Sequence, residues 1–223
     1  MKSPLWLTLA SIVMSVPTWA ATHTLTFDEL PFVPVNNLTF MGVTFQFQVN
    51  GVPSTDAHYN AFGPGKIIYV QDPSLEGNAA GTLVLDFANP TPFLEFGVAM
   101  STVGHRVTTV ELFNASLVSL GLFAVETNGL ATDPGQFPFT EGKFSWFSGA
   151  VKRAVINFDN RSIPSLRFAL DNLTYDASGA SVTLTNIPAP DNAAPAQWAI
   201  PDVPKAEAAA TSGHQDSRTT QNN

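Results

Sequence analysis

Apolar and polar residues alternate along most of residues 21 to 176 with the two-residue period of a half-buried strand, and no stretch there carries a helical stripe. The runs HTLTFDEL, GVTFQFQV, KIIYVQ, TLVLDF, FLEFGVAM, VTTVELF, SLVSLGLFAVE, GKFSWFS, RAVINF and LRFALDNLTYD are rich in β-branched and aromatic residues and are separated by Gly, Pro, Asn and Asp. About ten strands at this spacing predict an all-β fold, an antiparallel two-sheet sandwich of the jelly-roll kind. FNASLV reads as a hairpin connection. NGVPSTDAHYNAFGPG and TNGLATDPGQFPFTEG read as longer loops, where binding residues tend to collect.

The last run breaks its own alternation. In RFALDNLTYD, Asp171 and Asn172 stand side by side, so strict alternation puts one on the face of Phe168 and Leu170 and the other on the face of Ala169 and Leu173. Without any ligand, Asp171 reads as an acceptor of backbone N–H groups at a bulge and Asn172 as a turn residue.

Both ends of the chain differ from this pattern. Residues 1–20 have the form of a signal peptide: Lys2, then the apolar PLWLTLASIVMSV, too short to span a bilayer, then Thr18-Trp19-Ala20 as a cleavage site. Residues 177–223 are rich in Ala, Pro, Asn and Thr and too poor in apolar side chains for a second core. The sequence therefore predicts export, to the periplasm or the outside, of one sandwich domain over residues 21–176 with a disordered tail. Alternatively, the tail folds on a partner through Trp198 and Ile200. Sequons at Asn37, Asn114, Asn160 and Asn172 would accept glycans only in a eukaryotic secretory pathway.

Composition narrows the chemistry. With no cysteine, an exported chain has no disulfide framework, thiol catalysis or thiolate metal site. A net charge of −8 and no Lys/Arg cluster denser than VKRAV argue against nucleic acid and anionic lipid. No G-x-S-x-G is present, and His23, His58 and His105 have no metal-ligand spacing. A glycosidase needs only two carboxylates, so Glu95, Glu111, Glu126 and Glu141 stay open as candidates, or as ordinary solvent-facing residues. Sugar binding needs an aromatic face with polar groups around it. Asp56, His58, Tyr59, Asn60 and Phe62 in the first long loop offer that mixture, as a ligand patch or as an aromatic plug over the core. Trp146 is a second candidate, although it shares a face with Phe144 and so also reads as core.

LTFDEL, GVTFQF, VLDFANPTPFLEFGVAM, VELFNASLVSLG, FSWFSGAVKRAVINF and FALDNLTYD together resemble the secreted bacterial β-sandwich proteins that often carry a PEP-CTERM sorting tail. No Pro-Glu-Pro signal, apolar helix or terminal basic cluster follows the domain here, which points to release. The resemblance implies a galactose-binding-like architecture, similar to carbohydrate-binding modules, with the first and last strands side by side. It also implies a structural calcium between them, held by Asp28, Glu29, Asp171 and Asn172, a set able to supply several of the oxygens calcium takes. The resulting expectation is an exported, non-catalytic module for extracellular polysaccharide or cell-surface glycan. A structural or adhesive matrix protein comes second, and a polysaccharide hydrolase or lyase third.

Overall fold

The computed structural model describes residues 22–131, 138–158 and 165–176, so the signal-like segment, the tail and the sequon at Asn160 lie outside the described residues. The strands in chain order are β1 (Thr22–Leu25), β2 (Val33–Pro34), β3 (Thr39–Phe40), β4 (Val43–Val49), β5 (Val52–Pro53), β6 (His58–Ala61) and β7 (Ser74–Asn78). They continue as β8 (Gly81–Thr91), β9 (Leu94–Met100), β10 (Arg106–Phe113), β11 (Ser119–Ala131), β12 (Phe139–Trp146), β13 (Val151–Asn157) and β14 (Arg167–Asp176).

Among the described residues every strand pairing is antiparallel, as the alternating pattern predicts. One sheet runs β2-β6-β7-β14-β9-β12-β11, with β1 also on β14, and the other runs β11-β10-β13-β8-β4-β3, with β5 on β4. Strand β11 serves both: Ser119 to Thr127 pair with β10, whereas Asn128 and Ala131 pair with β12. The two sheets face one another across a shared core, giving the jelly-roll sandwich. Across it Phe47 meets Phe168 at 5.9 Å and Phe87 meets Tyr175 at 5.4 Å between ring centroids, while Phe27, Phe45 and Tyr59 close one end edge to face. FNASLV forms the expected hairpin, with Asn114 Oδ1 accepting the N–H groups of Ser116 and Val118.

Four local readings change. TNGLATDPGQFPFTEG is strand at both ends, its first five residues closing β11 and Phe139 to Gly142 opening β12. HYNA is strand β6 and not loop, its neighbours Val33 and Glu76 supplying pairing that the Gly/Pro-rich flanks conceal. SLEGN is strand β7, missed because its outward side chains include the buried Glu76. KIIYVQ forms no strand. Only Lys66 and Gln71 bridge, and Ile67 and Val70 instead bury themselves on Ala99, Phe139 and Ala169, on the face of the first sheet turned away from the core.

Candidate functional site

The segment 63–72 lies as a strap across that outer face. Its ends are closed by Asp72, whose carboxylate accepts the N–H groups of Gly63 and Gly65, each at 3.0 Å. Its crown is held from below. Glu141 on β12 accepts the N–H groups of Ile68 at 3.0 Å and Tyr69 at 2.7 Å, and Asp171 on β14 accepts that of Gln71 at 2.9 Å. Asn172 completes the attachment by donating its side-chain N–H to the Tyr69 carbonyl at 3.2 Å.

The irregular pair in β14 thereby acquires a purpose. Asp171 pairs with Gly97 and Thr174 with Glu95, so β14 carries one residue more than β9 over this interval, a bulge with Asn172 at φ +54°. The extra residue resets the alternation. Phe168 and Leu170 point into the core before it, Leu173 and Tyr175 after it, and Asp171 is freed for the strap. Strict alternation had put Leu173 on the face opposite Leu170, and the bulge corrects this.

Beside the strap is a groove of about 310 Å³. Ile68 and Tyr69 form one wall, and Glu95, Gly97 and Lys143 line it from the sheet, with Thr24 and Thr174 from the paired β1 and β14. Tyr69 is 39% exposed and its main chain is held at both N–H and C=O, which places a part-exposed tyrosine at the groove wall. Lys143 Nζ lies 2.6 Å from Glu95 Oε1, and Ser145 Oγ donates to Glu95 Oε2 at 2.9 Å. Of the sequence candidates Asn172 and Glu95 line this groove. The groove was hidden in the sequence because its residues are ordinary outward positions on strands far apart in the chain, though a glycine inside FLEFGVAM is a signal of close backbone approach.

The first-loop candidates separate. Tyr59 is wholly buried, its hydroxyl donating to Glu29, so it has no face for a sugar, and burial followed by that hydrogen bond pushes its phenol up. Asn60 secures the Leu30 carbonyl at 2.6 Å, Asp56 pairs with Arg167 at 3.0 Å, and His58 stacks on Phe32 at 4.4 Å. Phe62, just before the strap, is the half-exposed one of the set. Trp146 packs on Phe123 at 5.0 Å and donates to the Gly149 carbonyl at 2.7 Å, a core-edge role.

The terminal strands do lie side by side, with Leu25 opposite Leu173, and Asp28 and Glu29 follow β1 closely enough to help raise the Asp171 pKa. Burial is the larger cause, and together they bring it to about 7. Their oxygens are directed at donors. Thr26 donates its N–H to Glu29 at 2.8 Å and its hydroxyl to Asp28 at 2.7 Å, while Asp171 faces the Gln71 N–H and both nitrogens of Asn172. Among the described residues no group of three or more His, Cys, Asp or Glu side chains is placed to hold a metal ion. In this structure Asp28, Glu29 and Asp171 serve as hydrogen-bond acceptors.

Among the glycosidase candidates, Glu141 is buried beneath the strap and Glu95 is tied to Lys143, while Glu111 on β10 and Glu126 on β11 bind Ser119 and face His105.

No protein-family model matches the chain, and no curated protein does. Among solved structures it is similar to CBM29_1, a family 29 carbohydrate-binding module from Piromyces equi, at 14% identity and a TM-score of 0.38, over 72% of this chain and 92% of that one. It is also similar to the enzymatically active domain of the bacteriophage CBA120 tailspike protein 4, at 12% identity and a TM-score of 0.36, over 64% of this chain and 21% of that one. A third is the arabinose-bound MgGH51 α-L-arabinofuranosidase, at 11% identity and a TM-score of 0.38, over 68% and 25%. The strand pairings of the chain itself define its fold.

Proposed function

We propose that this chain is an exported, non-catalytic module that binds polysaccharide or cell-surface glycan in the groove beside Tyr69. The observation that carries the reading is a part-exposed tyrosine, its main chain held by the sheet, walling a groove of about 310 Å³ lined also by an ammonium, a carboxylate, an amide and two hydroxyls. A pyranose presents an apolar face and a rim of hydroxyls, and this arrangement matches both. The signal-like residues 1–20 support export. The non-catalytic part of the reading is supported by the groove lining, which holds a single carboxylate, Glu95, where hydrolysis of a glycosidic bond needs two.

The test is a pull-down of the purified chain on a panel of polysaccharides, with release of reducing ends measured in parallel. Saturable retention that Tyr69→Ala lowers at least about tenfold, without release of reducing ends, supports the reading. Retention unaffected by Tyr69→Ala removes the groove from it, and reducing ends that disappear in Glu95→Gln replace it with hydrolysis.

One observation favours the matrix reading as second choice. Leu117, Val118 and Leu122 are all more than half exposed on the β10–β11 hairpin, an apolar patch suited to self-association. Sedimentation of the chain at increasing concentration, with Leu122→Ser as comparison, tests that reading.

A further inference from the structure

The groove, taken as the glycan site above, also has a charge character that narrows the ligand class. Lys143 is the one cation among its lining residues, and Glu95 already neutralises it at 2.6 Å. Glu141 lies under the adjoining strap, Asp171 stands behind Asn172, and the chain as a whole carries −8. A carboxylate entering the groove would meet a lysine engaged by a closer carboxylate, inside a field of its own sign. Hydroxyl groups meet the opposite situation. An ammonium has three donors and a carboxylate about four acceptor positions, so the pair keeps free capacity of both kinds, and a hydroxyl can donate to one member while accepting from the other.

We infer that the groove selects neutral polysaccharide over uronate-bearing polymer, and that Glu95 sets this selectivity by neutralising Lys143. The inference rests on the groove reading. Glu95→Gln keeps the shape and the hydrogen bond from Ser145 but releases the ammonium, so it converts the groove to one that tolerates a carboxylate.

Affinity electrophoresis of the full chain through gels containing neutral glucan, mannan, xylan or galactan, or containing polygalacturonate or alginate, tests this with wild type, Glu95→Gln and Tyr69→Ala. The expected result is wild-type retardation by a neutral polymer and not by the polyuronates, with Glu95→Gln gaining polyuronate affinity by about fivefold to tenfold, an increase lost as salt is raised. Wild-type retardation by a polyuronate that Tyr69→Ala abolishes overturns the inference and leaves the groove reading standing. A Glu95→Gln variant that gains nothing overturns the role of Glu95. Retardation by none of the polymers, or retardation indifferent to Tyr69→Ala, overturns the groove reading and this inference with it.

Discussion

Gly97 and Tyr69 meet at a spacing that only a hydrogen on the Gly97 Cα leaves open, because a Cβ there would overlap the Tyr69 carbonyl. Strap and sheet are in direct backbone contact at this point. Gly97→Ala must lift the strap and strain its bonds to Glu141 and Asn172. The expected loss is about 1–3 kcal/mol in a urea titration, accompanied by loss of glycan retention. An alanine variant as stable as wild type would mean that the strap is not seated where it is described.

Asp171→Ala removes the acceptor for Gln71 N–H and for both nitrogens of Asn172. Part-buried donors left without a partner cost about 1–3 kcal/mol. The unfolding free energy should fall by that amount equally in calcium and in EDTA. A wild-type midpoint raised by calcium, with the rise absent in Asp171→Ala, would restore a cation to this place.

Glu76, buried on β7, has its carboxyl pushed up to about 8, by burial first and then by the Asp72 charge, and burial likewise raises Asp171 to about 7. Their ordinary values are 4.5 and 3.8, so between about 4 and 8 the folded chain binds more protons than the unfolded one. Their contribution is therefore complete below the ordinary values and is lost as the pH rises through 7 and 8. Melting temperatures at pH 5, 6.5 and 8 should fall in that order, and Glu76→Gln should flatten the decline. A melting temperature that climbs over the same interval would contradict the burial of these two groups.

Phe168 stacks on Phe158 at 3.7 Å and meets Phe47 of the opposite sheet at 5.9 Å. Truncation to alanine opens a cavity between the sheets where little can collapse. The expected cost is about 3–5 kcal/mol by thermal or chemical denaturation. A loss under 1 kcal/mol, by the same measure, would place Phe168 outside the core.

Much of the sandwich was legible because β4 and β10 bury alternate side chains against a single core, and hydrophobic period alone reports that arrangement. The strap was not. Ile67 and Val70 are apolar because they cover the back of a sheet, and a run of apolar residues does not say which surface it covers. The candidate site was legible only at Asn172 and, as a lone carboxylate, at Glu95, since Glu95 and Lys143 become neighbours only through the pairing of β9 with β12. Tyr59 misled for the converse reason. Its flanks have the composition of a loop, yet Val33 of β2 pairs with it and the core takes its ring.

The pairing of β1 with β14, Thr22 opposite Asp176, brings the described chain in and out at neighbouring points on the same end of the sandwich. A pulling force applied at those two points would act across the ladder and not along it. The four pairs from Thr22↔Asp176 to Leu25↔Leu173 would then open one after another, like a zip, with no moment at which all of them share the load. Tension carried through both ends would peel β1 away first and reach the turn holding Asp28 and Glu29 next, whereas a load carried by Asp176 and a ligand in the groove would bypass that weak line altogether.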